Sequence, residues 1–257
     1  MNTGELYVVG LGPGHPDLLA PRARTVLAAA DVVVGYRGYL ALLDPWLPLR
    51  GVVATELTRE VERAVIAVDR AWQGERVAVV SSGDAGVYGM AGLVLEVLAA
   101  RNWDPEQGPT VEVVPGITAI TAAAAVVGAP LMHDFAVVSL SDRLTPWPVI
   151  HRRLEAAAQA DFVIGLYNPR SARRTAPLEA ARRILLGFRR PDTPVAVVRN
   201  AYRPGQAVRL CTLETFVPEE VDMFTTVIVG NTSTRVYRGR LVTPRGYRVD
   251  AKAPQAP

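Results

Sequence analysis

Lysine, cysteine and histidine are all but missing from this chain of 257 residues. The only lysine, Lys252, stands in the terminal AKAPQAP stretch, so neither a P-loop lysine nor a lysine Schiff base to pyridoxal phosphate is available. Cys211 is the only cysteine, which excludes an internal disulfide, a cysteine-rich zinc site and an iron–sulfur cluster. His15, His133 and His151 are scattered without HExxH spacing, and no metal site is expected. An excess of one charge is also lacking: 28 basic against 25 acidic residues leave +3. The pI near 9.2 therefore reflects arginine and not a broad basic face, and nucleic acid is not an expected partner. Anionic small molecules remain compatible with such a surface.

The N-terminus MNTGELYVVG lacks the basic-then-apolar layout of a secretory signal, so a cytoplasmic location is expected. One uncharged run, Val113–Met132, reaches the length of a membrane span. It is broken by Pro115-Gly116 and Gly128-Pro130 and is rich in Ala and Thr. That pattern reads as a strand end followed by a tightly packed helix, with no membrane partner.

With 49% hydrophobic residues there is ample core. Short runs nearly continuous in Val, Leu or Ala recur at 6–10, 32–35, 51–55, 77–81 and 111–114, as strands buried on both faces do. Helical stretches such as Pro21–Ala30, Thr58–Gln73 and Gly89–Ala100 lie between them as crossovers. Further strand-like runs follow at 136–140, 162–167, 194–200, 207–213 and 225–231, the last ones through short turns that favour a mixed sheet. The fold class is α/β with two α/β domains, 1–114 and 115–244, and a flexible tail at 245–257.

Three glycine-rich turns follow strands. The first, Gly10-Leu11-Gly12-Pro13-Gly14-His15, departs from a dinucleotide fingerprint because His15 stands where the third glycine belongs. Pro13 removes a donor, and the next helix starts too late, near Pro21, to aim its N-terminus at a pyrophosphate. The second turn, Ser81–Gly89, has three glycines that admit close backbone approach, and Asp84, an acceptor or a helix cap. The third runs from Val114 to Ala119. An empty strand-to-helix turn explains any one of them; three together, at strand C-termini of an open α/β sheet, point to a ligand.

The segments GLGPG (10–14), SSGDAGVYGMAG (81–92), VVPGITA (113–119), DFAVVSLSDRLTPW (134–147), LYNPRS (166–171) and VIVGNTST (227–234) resemble, in order, the tetrapyrrole methylase family. GPG and PGIT are common to the family. SLSDRLTPW and LYNPRS are more restrictive and resemble its branch that methylates C17 of precorrin-3B, or of the cobalt-bearing cobalt-precorrin-3, with ring contraction. The resemblance implies a homodimer whose domains enclose a cleft for S-adenosylmethionine and a tetrapyrrole substrate. Carried over by residue, it implies cofactor contacts at Pro13, Gly83, Asp84, Ala85, Tyr88, Thr118, Ala119, Asn168 and Ala201. Asn168 stands where other branches often carry Met, and Ala85 where many carry Pro.

Methyl transfer from a sulfonium is an in-line displacement that needs alignment and exclusion of water, not a metal or a lysine. The ring contraction implied by the resemblance adds proton movement at a hydroxyl or lactone oxygen, which requires a positioned acid or base. Asp84, Asp142, His133 and Tyr167 are candidates for that role. Ser139, Arg143 and Arg170 are candidates for the substrate, guanidinium forks being suited to its rim of carboxylates. Asp142 reads equally as a turn residue, His133-Asp134 as a surface turn, and Arg173 and Arg174 as a solvated helix start. Sister methylases acting at C11 or C20, methylases of ribosomal RNA or of the diphthamide precursor, and a non-catalytic tetrapyrrole carrier are the competing functions.

Overall fold

The computed structural model describes residues 4–43, 46–171 and 174–248. Arg173 and the tail from residue 249, Lys252 included, lie outside the described residues. The chain divides into two units. Unit 1 comprises residues 1–122 with 202–204, and unit 2 comprises 123–201 with 205–257.

Unit 1 holds β1 (Glu5–Gly10), α1 (Pro21–Ala29), β2 (Val32–Tyr36), α2 (Arg37–Leu40), β3 (Val52–Thr55), α3 (Glu60–Trp72), β4 (Arg76–Ser81), α4 (Ala91–Ala100) and β5 (Thr110–Val114). Its five strands run parallel in the order β3-β2-β4-β1-β5. Successive side chains of a strand point to opposite faces, and both faces are covered. Leu6, Val8, Val32, Val34, Val77 and Val79 pack with α3 and α4. Val9, Val33, Ala78 and Val80 pack on the other side with α1 and α2. In the central strands β1, β2 and β4 the apolar runs are continuous because neither face meets water. On α3 the buried Ala64, Ala67, Val68 and Ala71 repeat at helical spacing and form its sheet-facing stripe.

The division between units falls inside α5 (Ala119–Val127), later than the expected break at residue 115, because this helix continues directly from the third turn. Ile120, Ala122, Ala123, Ala124 and Val127 of this helix are buried. No helix among the described residues is long and apolar enough to cross a membrane.

Unit 2 continues with β6 (Gly128–Ala129), β7 (Phe135–Ser139), α6 (Trp147–Gln159), β8 (Val163–Tyr167), α7 (Ala176–Leu186), β9 (Pro194–Arg199), β10 (Ala207–Thr212), β11 (Thr225–Val229), β12 (Arg235–Tyr237) and β13 (Arg240–Val242). Its main sheet has the order β10-β9-β11-β8-β7 and is mixed, parallel only between β7 and β8. Ile150 and Leu154 of α6, and Leu178 and Leu185 of α7, cover one face of it. The remaining strands, β12, β13 and β6, form a small sheet of their own.

Candidate functional site

The order β4-β1-β5 sets the three glycine-rich turns side by side. Gly10 is in register with Ser81, and Val9 with Val114, so all three strands stop at nearly the same level. The turns then lock together through backbone. Gly12 N–H donates to Gly83 O at 2.9 Å, and Gly83 N–H donates back to Gly12 O at 2.8 Å. A Cβ on Gly10 would stand 2.7 Å from both Gly116 N and Gly83 O, a distance no side chain tolerates. Glycine is thus required there by the approach of the other two turns.

Asp84 ties the second turn to the third. Its Oδ1 accepts from Gly86 N–H at 2.8 Å and its Oδ2 from Gly116 N–H at 2.9 Å. It caps no helix: the cap position of α4 is Met90, whose N–H donates to Ser81 Oγ at 3.0 Å. Gly83 has φ +70°, and a Cβ there would lie 3.6 Å from Ala119 N and 3.7 Å from Thr118 Cα. That is ordinary contact, so the positive φ and not crowding is what calls for glycine at this turn. Pro13 and Ala85 are buried beside it, while Tyr88 is 60% exposed with φ +53°. The first turn leads into a short 3₁₀ segment, Pro16–Leu18, and α1 starts only at Pro21. No helix N-terminus follows that turn directly.

Arg203, which nothing in the local sequence singled out, joins this arrangement. Its Nε donates to Pro13 O and its terminal nitrogen to Ser82 Oγ at 2.7 Å, fastening the first turn to the second. Burial pushes its guanidinium pKa down, an effect opposed by Tyr39.

In unit 2 the parallel strands β7 and β8 end together, with Ser139 in register with Tyr167. Asn168 Nδ2 donates to Ser139 Oγ at 3.0 Å. Arg174 clamps the two following loops, donating to Leu140 O at 2.6 Å and to Asn168 O at 2.9 Å, with Asp142 at 3.8 Å. Burial lowers its pKa while Asp142 opposes the shift. It precedes α7 and is no solvated helix face. Arg143 is exposed, and Arg170 is half-buried and donates to Pro218 O at 3.0 Å. Ser139, Asp142, Tyr167, Asn168 and Arg174 thus form one cluster.

His133 does not join it. It precedes β7 at the opposite end of the strand from Ser139, and Phe135 to Ser139 alone span about 13 Å at the usual rise per residue. Its Nδ1 accepts from Asp134 N–H at 2.9 Å, a surface turn. Ala201 lies after β9 between Asn200 and Tyr202, at φ +49° and +57°. Of eight non-glycine residues at positive φ among the described ones, Tyr88, Asn168, Asn200 and Tyr202 are four. Such conformations concentrate at functional sites, and these four fall on or beside positions implied for the cofactor.

Over residues 5–217 the chain matches the family described as Tetrapyrrole (Corrin/Porphyrin) Methylases. It belongs to that family. The cobalt-factor III methyltransferase of Priestia megaterium is 50% identical over 245 residues, covering 95% of this chain and 45% of that protein, so the chain spans less than half of this relative. The probable cobalt-factor III C(17)-methyltransferase of Salmonella typhimurium is 48% identical over 242 residues, covering 94% of this chain and 99% of that one. Among solved structures, the methyltransferase CobJ superposes with a TM-score of 0.87 at 40% identity, covering 94% of this chain and 100% of that chain. The uroporphyrin-III C-methyltransferase of Thermus thermophilus in complex with S-adenosylhomocysteine gives a TM-score of 0.67 at 26% identity, covering 88% of this chain and 97% of that chain.

Proposed function

We propose that this tetrapyrrole methylase transfers a methyl group from S-adenosylmethionine to C17 of a corrin precursor, with contraction of the macrocycle, in cobalamin biosynthesis. The observation that carries the reading is the interlock of the three turns by Asp84, Gly10 and Gly83, in a chain whose relatives over 94–95% of its length are named for cobalt-factor III. Those names favour a cobalt-bearing substrate over precorrin-3B, and C17 over C11 or C20.

When bound, S-adenosylmethionine supplies a methyl group whose leaving group is already activated. What remains for the protein is alignment and a dry surface. Bare backbone at Gly83, facing Thr118 and Ala119, fits close approach of such a ligand, and Asp84 holds the turns at fixed spacing without needing to reach it. Asp142 and Tyr167 are assigned to proton movement at a ring oxygen during contraction, with Ser139 positioned by Asn168. Arg143 and Arg170 are assigned to the rim carboxylates. A cytoplasmic homodimer completes the proposal, on the strength of the family resemblance.

Incubation with methyl-labelled S-adenosylmethionine and cobalt-factor III tests it. Label in the tetrapyrrole fraction supports catalysis; tetrapyrrole binding without transfer makes the chain a carrier.

A further inference from the structure

Unit 1 contains a cavity of about 100 Å³ at the C-terminal ends of β2 and β4, walled by Tyr36, Tyr39, Arg63, Ser81, Ser82 and Tyr88. That is about three water molecules' share of liquid volume, comparable with a single carboxylate and its link. Arg63 on α3 is 3% exposed. Its Nε donates to Thr55 Oγ1 at 2.8 Å, one terminal nitrogen to Glu56 O at 3.0 Å, and the other contacts Met90 Sδ at 3.6 Å. All three acceptors are neutral. A guanidinium carries five N–H groups, so these contacts leave two of them over.

Arg203 is the second cation here, and its partners, Pro13 O and Ser82 Oγ, are neutral too. No ion pair to a carboxylate is formed by either arginine among the described residues. Ser82, whose Oγ accepts from Arg203, lines the cavity together with Arg63. Glu60, the only acid on the cavity wall among the described residues, is exposed, and its Oε1 accepts from Thr58 N–H at 3.1 Å. A buried cation without a counter-charge is costly unless something supplies one, and a carboxylate matches the guanidinium fork.

We propose that this cavity is a binding pocket for a ligand carboxylate, received by Arg63 with the Tyr39 and Ser82 hydroxyls as further donors. The inference rests on the reading given above, which offers two carboxylates of this kind: an acetate or propionate arm on the tetrapyrrole rim, and the methionine end of S-adenosylmethionine.

The test uses the full chain as wild type, Arg63→Gln, Arg63→Lys and Leu57→Trp. Leu57 lines the same cavity, is 40% exposed, and touches none of Arg63's hydrogen bonds. Affinities are measured for cobalt-factor III by absorbance, and for S-adenosylhomocysteine and methylthioadenosine, which lacks the carboxylate, by calorimetry. Wild type that binds neither ligand class refutes the functional reading itself. With wild type competent, Arg63→Gln is expected to weaken one carboxylate ligand by at least about 30-fold, Arg63→Lys to recover part of it, and Leu57→Trp to weaken the same ligand. Loss for cobalt-factor III alone identifies the rim arm. Loss for S-adenosylhomocysteine with methylthioadenosine unchanged identifies the methionine end. Unchanged affinities, or parallel loss for all three ligands, overturn the proposal. Should Arg63→Gln fail to fold, unchanged affinities in Leu57→Trp overturn it as well.

Discussion

Asp84 and Gly116, 32 residues apart, meet where the Asp84 Oδ2 accepts the Gly116 backbone N–H at 2.9 Å, while the second carboxylate oxygen holds Gly86 N–H at 2.8 Å. Both oxygens accept, so an amide cannot replace the carboxylate: in Asp84→Asn one backbone N–H faces an NH₂ group. A hydrogen bond to a charged group contributes about 1.5–3 kcal/mol. Asp84→Asn is expected to lower unfolding stability on that scale and to weaken S-adenosylhomocysteine binding at least about tenfold, as read by denaturant titration and calorimetry. Full affinity at unchanged stability would show that the turns do not depend on this link.

Asp142 offers the cleaner probe of the second chemical step, since it lies in the β7–α6 loop of unit 2 and bonds none of the three turns. Asp142→Asn is expected to keep S-adenosylhomocysteine affinity and to slow formation of contracted product at least about tenfold, within the usual range of general acid–base groups. Wild-type rates in single-turnover assays would make it a turn residue and leave Tyr167 as the next candidate.

The arginines of unit 2 divide by what they already hold. Arg174 donates to Leu140 O and Asn168 O, so Arg174→Gln is expected to lower the thermal midpoint and to impair every activity readout together. Among the described residues Arg170 donates one hydrogen bond, to Pro218 O. Arg170→Ala is expected to raise the tetrapyrrole KM, by up to about 2–5 kcal/mol of binding if its partner carboxylate becomes buried, with cofactor affinity near wild type. Equal losses for both ligands in Arg170→Ala would assign it to the framework with Arg174.

Acid sensitivity is expected at the start of β1. The hydrogen bond from Arg76 holds the Glu5 carboxyl below its usual pKa, burial opposes the shift, and the Tyr7 hydroxyl adds a bond at 3.0 Å. A depressed folded value means the pair stabilises above the unfolded pKa, near 4.3, and loses its effect as pH falls through the folded value. Both side chains are over a third exposed, so solvent screening keeps the contribution small. Thermal midpoints of wild type and Glu5→Gln are expected to differ slightly at pH 7 and to converge below about pH 4. A gap that widens in acid would contradict this.

Ten strands are legible as apolar runs, and each ends within a residue or two of its expected limits; the central strands, buried on both faces, leave the most continuous signature. β6, β12 and β13, of two and three residues, are too short to leave one. Helix α6 is weakly marked in the sequence because half of its buried stripe, Ile150, Leu154, Ala157 and Ala158, is alanine, whereas only the start of α7 is signalled, by the arginines before it. The turns of the candidate site are legible through their glycines, which the close packing of Gly10 and Gly116 and the positive φ of Gly83 demand. Arg203 was not, because its partner Pro13 is 190 residues away and no local pattern encodes that contact. Arg174 was undervalued since two adjacent arginines before a helix resemble a solvated face, whereas folding turns one of them onto two carbonyls.

Mass spectrometry of the product reads methylation at C17 and contraction of a cobalt-bearing ring in one measurement. The protein is given S-adenosylmethionine with cobalt-factor III and, separately, with cobalt-free precorrin-3B. A ring-contracted product carrying one new methyl group at C17 is expected from the cobalt substrate, and a slower reaction or none from the cobalt-free one. A methyl group placed at C11 or C20, or preference for the cobalt-free ring, would contradict that expectation.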